Sequence, residues 1–352
     1  MFMSATETGE RQMKIDRGVL VASAPGRCGI IGNPSDMYGG SVISISTWER
    51  ATCELAAADR LVISCGDQQA VINSPEDLQQ RGDNLDIARA VLAFLNVEPA
   101  EATFSLELST EIPMQAGMAG STALVVACLG VLDRYLGLKL HPWAMAETAR
   151  KIEFRQMGVL CGLQDQHMAV FGGLNFLDFH GKEMLEQRAD EPLATVESLL
   201  ISSSAREIPL LAANTGVRHN SGAVHRSPRQ RWLDGDKTVI DAFERIGNLA
   251  RQGKRALLER NWELLGALMN ENHSIIQKLG GSGPANDNLI DAARQAGAYG
   301  AKLAGAGGGG TIIALAPDIE RVGCALRKAG AVAVRTVAPG EGLTVELRQN
   351  PL

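Results

Sequence analysis

The chain has 352 residues, 34 Lys and Arg against 40 Asp and Glu, and a formal net charge of −6, with no basic run to offset it, so nucleic acid is excluded as the main partner. Its 45% hydrophobic content suits two domains with proper cores, since single domains run to roughly 100–200 residues. There is no apolar run of about 18 residues and no signal-peptide pattern, and the six cysteines lack CxxC spacing, so a cytoplasmic chain with free thiols and no membrane partner is expected.

Residues 1–17 are polar and predict a disordered N-terminus. A short strand, Leu20–Ala24, runs into a loop from Pro25 to Gly40 that carries five glycines and two prolines around Arg27 and Asp36. Ser41–Ser46 alternates with period two, as a half-buried strand does. Strands are predicted at Thr52–Ala56, Leu61–Cys65 and Ala102–Leu108, and an amphipathic helix over Asn84–Leu95.

Pro113 opens a loop of small residues, through Gly117, Ala119 and Gly120, that feeds an apolar helix over Thr122–Tyr135. Small residues let backbone N–H groups approach an anion, and a helix start adds unpaired donors and the positive end of the dipole. The stretch reads either as a phosphate cradle or as a tight turn before a buried helix, and it lacks the Gly-x4-Gly-Lys pattern of the common nucleotide loop. Ser121 is placed to cap the helix or to offer its hydroxyl to a metal. A second helix, Pro142–Arg155, ends near Glu153 and is followed by Asp165 in a glycine-bounded segment. The two carboxylates either converge on one site, or serve as a solvated helix charge and a helix cap.

The composition turns polar over 181–195, where a domain boundary is placed, and strands follow at Leu199–Ser203 and Pro209–Asn214. Four arginines and two histidines lie between Arg218 and Arg231. They form either the solvated start of the next helix, the preferred reading on sequence alone, or a lip of guanidinium groups for a carboxylate or phosphate. Helices are predicted at Trp262–Leu279 and Asn286–Ala296. Gly305–Gly310 matches GxGxxG, but a strand-like run follows it, so it reads as a hairpin with a bare backbone rather than a dinucleotide loop.

In order and spacing, the three glycine loops resemble the GHMP kinase superfamily, which includes galactokinase, homoserine, mevalonate and phosphomevalonate kinases. Ala24–Gly40 resembles its first motif, Pro113–Ala123 its Pro-x3-Gly-Leu-Gly-Ser-Ser-Ala, and Lys302–Gly310 its third. Ala119 and Gly120 depart from the second pattern by replacing a Gly and a Ser, which leaves metal binding to Ser121. Glu153 and Asp165 match the galactokinase-type Glu-x11-Asp spacing, and Cys161–Gln166 is similar to Cys-Gly-x-x-Asp-Gln. Gly32–Tyr38 and Ser221–Asp236 resemble the glucuronokinase subgroup.

The resemblance implies an α+β, two-domain GHMP kinase fold. An N-terminal mixed α/β ATP-binding domain would span 18–190 and a C-terminal ferredoxin-like α/β domain 191–352. It implies ATP held by Pro113, Gly117, Met118, Ala119, Gly120, Ser121 and Thr122 with Gly307 and Gly308, and Mg²⁺ on Ser121 and Glu153. Asp165 would accept or orient the proton of the attacking hydroxyl, and Arg27 would stabilise charge at the reacting centre. Asp36, with Asn33 and Gly162, would meet a sugar, and Arg229 and Arg231 are candidates for a uronate carboxylate. The base of the nucleotide is expected near Asp83–Ile87. The implied activity is phosphorylation of an anomeric sugar hydroxyl, D-glucuronate first, by a monomer or homodimer. The alternatives are a galactose-, arabinose- or mevalonate-type kinase, or a non-catalytic ATP and sugar sensor.

Overall fold

The computed structural model describes residues 18–113, 116–182, 191–199, 208–217, 228–305 and 310–349. The expectation for 1–17, the segment 200–203, Gly307, Gly308 and residues 218–227 of the arginine-rich stretch lie outside the described residues.

The described residues build two sheets. Strand β1 (Val19–Ile31) outruns its predicted end at Ala24. It passes Pro25 and the glycines because register shifts between Pro25 and Arg27, and between Gly29 and Ile31, absorb the irregularity. It pairs with the long strand β2 (Ser41–Ala57). β2 alternates in burial only after its first seven residues, which are all buried. Helices cover both faces there, and the serines on the second face are satisfied internally: Ser44 donates to Gln164 Oε1 at 2.8 Å and Ser46 to the Gly340 carbonyl at 2.7 Å. This corrects the half-buried expectation for Ser41–Ser46. β3 (Val62–Cys65), β4 (Gln68–Val71) and β5 (Phe104–Thr110) extend the sheet, while β6 (Leu174–Asp178) pairs with β2 and β7 (Thr195–Ser198) with β6.

The second sheet is antiparallel, made of β8 (Leu210–Asn214), β9 (Gly300–Leu303), β10 (Thr311–Leu315) and β11 (Ala333–Thr336) in the order β11-β8-β10-β9. With strands numbered within that sheet this is the 4-1-3-2 order of a ferredoxin-like unit. β9 and β10 form the hairpin that the sequence predicted around Gly305. The final strand, β12 (Thr344–Arg348), returns to pair with β1, so β7 and β12 join the first sheet although both lie beyond residue 190.

Among the described residues the first sheet is accompanied by α1 (Asp86–Phe94), α2 (Gly120–Leu136), α3 (Pro142–Lys151) and α4 (Gln164–Phe171). α5 (Lys237–Leu258) packs on β2 of the first sheet and on α6 (Trp262–Lys278), and α6, α7 (Pro284–Gln295) and α8 (Ile319–Lys328) accompany the second. α2 is buried along almost all of its length, as its apolar run requires. It begins at Gly120, not Thr122, because Ala119 takes the left-handed conformation (φ 60°) that ends the loop. The helix expected over Pro142–Arg155 is regular only to Lys151 and widens into a π turn over Ile152–Gln156. One apolar core runs from β1, β2 and α2 through to Leu249, Leu265 and Ile313, binding the sheets together.

Candidate active site

The bulge in β1 turns Arg27 inward until it is 5% exposed. Its backbone N–H donates to the Met118 carbonyl at 3.0 Å and its Nη1 to the Gly117 carbonyl at 2.5 Å, so the first loop is anchored on the second. The rest of the guanidinium grips Asp165 bidentately, with Nε to Oδ1 at 2.8 Å and Nη2 to Oδ2 at 2.9 Å. Burial opposes the charge on Arg27, but Asp165 outweighs it and holds the pKa above the ordinary arginine value. Asp165 does not cap α4. It lies in the first turn after the N-cap residue Leu163, where the helix dipole favours an anion.

Asp36 stands in a short 3-10 turn over Ser35–Tyr38 and is 2% exposed. Its Oδ2 accepts from the backbone N–H groups of Leu163 at 2.8 Å and Gln164 at 3.1 Å. Its Oδ1 is buried with no partner among the described residues. Burial, then the negative charge of Asp165, push its pKa up against the two N–H bonds. Gly162 is required here, because a Cβ at that position would collide with Asp36 Oδ2.

Glu153 sits in the π turn, a device often found at functional sites, and is 2% exposed. It is not a solvated helix charge. Thr122 Oγ1 donates to its Oε1 at 2.8 Å and Gln166 Nε2 to its Oε2 at 2.5 Å. Burial raises its pKa to about 7 despite those two bonds, with the charge of Asp165 adding to the rise. Ser121 is the second residue of α2, inside the helix rather than at its N-cap, which is Ala119, and it lines the same cavity as Glu153.

That cavity, of about 280 Å³, lies at the start of α2 and is walled by Arg27, Asp36, Gly117–Thr122, Glu153, Gly162 and Asp165. Gly117 (φ 73°) and Ala119 (φ 60°) curl the loop so that its backbone faces the space. The third loop closes one side: a Cβ on Gly305 would come within 2.6 Å of the Gly117 carbonyl oxygen. Among the described residues no three His, Cys, Asp or Glu side chains cluster as a metal site. A hydroxyl and a carboxylate at one cavity wall are nevertheless the hard oxygen donors that Mg²⁺ takes, with phosphates and waters completing its shell. The set fits that ion.

Other expected residues are placed elsewhere. Asn33 does not line the cavity; its amide turns to Lys302 Nζ at 2.6 Å and to the Gly305 carbonyl at 3.3 Å. Pro113 lies behind the loop, lining a separate cavity with Thr47, Trp48 and Arg335. In the segment Asp83–Ile87, Asp83 and Asp86 turn to the buried Arg89 at 2.6 and 2.7 Å. Arg231 pairs with Asp236 at 2.8 Å on the surface. Arg229 lies instead near Tyr38: it is three residues before Trp232 in the helical segment 228–233, and the Trp232 ring is 5.4 Å from the Tyr38 ring. Burial and Asp36 raise the pKa of the Tyr38 hydroxyl while Arg229 pulls it down. Gln166 and Lys302 were not singled out from the sequence. Gln166 follows Asp165 in the Cys-Gly-x-x-Asp-Gln stretch, and Lys302 is the one charge in an otherwise apolar strand, a signal that was there to use.

The family models for the GHMP kinases N terminal domain and the GHMP kinases C terminal match residues 86–173 and 254–332. Glucuronokinase 1 of Arabidopsis thaliana is 31% identical over 314 residues, 83% of this chain and 83% of that protein. The chain belongs to the GHMP kinase family. This GHMP kinase is equally similar to a mevalonate kinase of Pyrococcus horikoshii, 30% identical over 348 residues that cover 93% of this chain and 98% of that one. Its fold matches that of Lactococcus lactis galactokinase complexed with galactose, with a TM-score of 0.73, 20% identity and coverage of 97% and 96%. A D-glycero-D-manno-heptose 1-phosphate kinase gives a TM-score of 0.71 at 22% identity, over 93% and 98%. The GHMP kinase fold therefore has its N-terminal mixed sheet and its ferredoxin-like sheet as expected, and the protein is a small-molecule kinase. Among the described residues no helix is long and apolar enough to cross a membrane.

Proposed function

We propose that this GHMP kinase transfers the γ-phosphoryl group of ATP to the anomeric hydroxyl of a sugar, with D-glucuronate the first candidate and glucuronate 1-phosphate the product. The observation that carries the reading is the convergence of Arg27, Asp165 and the unpartnered Oδ1 of Asp36 on a cavity at the N-terminus of α2. Phosphoryl transfer depends mostly on positioning and charge neutralisation, and this cavity supplies both. The backbone of Gly117–Ser121 and the start of α2 receive the triphosphate. Mg²⁺, held by Ser121 and Glu153, would offset the charge of the phosphates. Asp165, fixed by Arg27 and 24% exposed at its side chain, accepts or orients the proton of the attacking hydroxyl. Asp36 takes a substrate hydroxyl on Oδ1 and so fixes which hydroxyl faces Asp165. Gathering these groups in one cavity is more than a sensor without turnover needs.

Glucuronate is favoured by the similarity to glucuronokinase 1 and by Arg229, which acts on the Tyr38 hydroxyl from outside the cavity wall and has no ion-pair partner among the described residues. The similarity to mevalonate kinases supports a second reading, an open-chain alcohol carrying a carboxylate. ADP release with glucuronate, galacturonate, galactose, glucose, arabinose and mevalonate separates the two. Highest kcat/KM on glucuronate is expected; a winning neutral sugar or mevalonate removes the glucuronate assignment.

A further inference from the structure

Lys302 is 1% exposed in strand β9, and no carboxylate pairs with it among the described residues. A buried ammonium without a counterion is costly, and a methionine of similar length would fill the space without that cost. The position is nonetheless built for an ammonium. Its Nζ has an acceptor for each of its three protons: the Gly29 carbonyl at 3.2 Å, Asn33 Oδ1 at 2.6 Å and the Leu303 carbonyl. Two of these belong to the first glycine loop and one to the strand that enters the third.

The same junction carries further ties between the two loops. The Gly29 N–H donates to the Ala304 carbonyl at 2.9 Å, and Asn33 Nδ2 donates to the Gly305 carbonyl at 3.3 Å. Asn272 of α6 holds the first loop from behind, accepting from the Gly32 N–H at 2.8 Å and donating to the Asn33 carbonyl at 3.3 Å. Gly305 in turn rests against the Gly117 carbonyl, which also accepts from Arg27.

We propose that Lys302 is a positioning residue of the phosphate cradle: its ammonium, through Asn33 and Gly29, locks the first glycine loop to the third and so holds Gly305 against Gly117. Lys302 touches neither substrate nor the reacting atoms. It acts by fixing the backbone that the triphosphate would meet, while the carboxylate of Asp36, three residues on in the same loop, has its own anchor in the N–H groups of Leu163 and Gln164. The proposal rests on the nucleotide reading of the Gly117–Ser121 loop.

The test compares Lys302→Met and Asn33→Leu with the wild-type chain, measuring KM for ATP, KM for the sugar, and Tm. Each variant removes clamp bonds, Lys302→Met with little change in volume and Asn33→Leu with the branched shape kept. KM for ATP is expected to rise at least about tenfold in both, as loss of hydrogen bonds to a charged group implies, while KM for the sugar stays within about twofold. A merely structural role would lower Tm and leave both KM values alone. Folded variants with an unchanged KM for ATP overturn the proposal. Should neither variant fold, amide exchange in the wild-type chain with and without ADP decides. Slowed exchange at Gly29 and over 300–305 as well as 116–121 supports the clamp, and protection confined to 116–121 overturns it. Wild-type protein that binds no adenine nucleotide overturns the nucleotide reading and the clamp together, whereas normal wild-type binding beside an unchanged Lys302→Met overturns the clamp alone.

Discussion

Arg27 and Asp165, 138 residues apart, meet through two parallel hydrogen bonds of 2.8 and 2.9 Å at the mouth of the cavity. The pair fixes the carboxylate in one orientation and leaves it in partial contact with solvent, where a substrate hydroxyl can reach it. Asp165→Asn keeps the shape and removes the charge. Turnover should fall by about 10²–10⁴, the usual scale for losing a positioned base, with ATP binding within about threefold of wild type. The neutral partner also leaves the Arg27 guanidinium buried without a counter-charge, so Tm should drop as well. A variant within about threefold of wild type in kcat would make Asp165 a structural anchor for Arg27.

Ser121 separates metal chemistry from folding. Because Ala119, not Ser121, occupies the N-cap position of α2, Ser121→Ala should alter unfolding free energy by no more than about 0.5 kcal/mol. The same change should lower activity and raise the Mg²⁺ concentration needed for half-maximal rate. Titration of Mg²⁺ against rate for both proteins checks this; superimposable curves remove Ser121 from the metal site.

Ala119 holds φ 60°, a conformation that costs a residue with a Cβ roughly 1 kcal/mol. Ala119→Gly is therefore expected to stabilise the chain by about 0.5–1 kcal/mol, read as a higher denaturant midpoint, with activity retained. A lower midpoint would mean that the rigidity lent by Ala119 outweighs its strain.

The pH dependence of stability carries the mark of His273. Burial, then the positive charge of Arg294, lower its pKa from 6.5 to about 4, against the pull of Asp287. Above about 6.5 the ring is neutral in both states; as pH falls toward 4 the unfolded chain takes a proton that the folded chain refuses, and stability is lost. The loss is on the order of 3 kcal/mol. Glu153, raised to about 7, works in the opposite sense as the pH falls below that value, so the test is a difference. His273→Gln should flatten the acid limb of unfolding free energy relative to wild type, and parallel limbs would contradict the assignment.

The three glycine loops and the hairpin were legible because glycine and proline spacing speaks directly about backbone. The side-chain geometry was not. Nothing local marks Arg27 as the partner of Asp165, since the bulge that turns it inward is set by its pairing with β2. The residues alone leave Glu153 open between a solvated helix charge and a site carboxylate, because period does not distinguish the last turn of α3 from the π turn that buries it. Asn33 sits near Asp36 in sequence, yet the fold sends the Asn33 amide to Lys302 and the Asp36 carboxylate to the cavity. Sequence spacing gave no way to choose between Arg229 and Arg231.

That choice yields the sharpest test of substrate. Arg231 is committed to Asp236, and at 43% side-chain exposure the pair contributes little that a substrate would feel. Arg229 lies on the other side of the same helical segment, close to Tyr38, whose ring is stacked on Phe243 at 3.8 Å and whose hydroxyl is influenced by Asp36. Arg229 is not among the residues that wall the cavity, so a uronate with one hydroxyl on Asp36 Oδ1 would have to extend its carboxylate past that wall to reach the guanidinium. Arginine can discriminate a carboxylate from a hydroxymethyl group because an unmatched buried donor costs on the order of 1–3 kcal/mol, roughly ten- to a hundredfold. Arg229→Leu should therefore cut the kcat/KM ratio of glucuronate over galactose by about that factor, chiefly through KM for glucuronate, and leave turnover of a neutral sugar intact. Arg231→Leu should leave the ratio within about twofold. If Arg231→Leu erodes the preference and Arg229→Leu does not, the carboxylate lies elsewhere and the assignment of Arg229 fails.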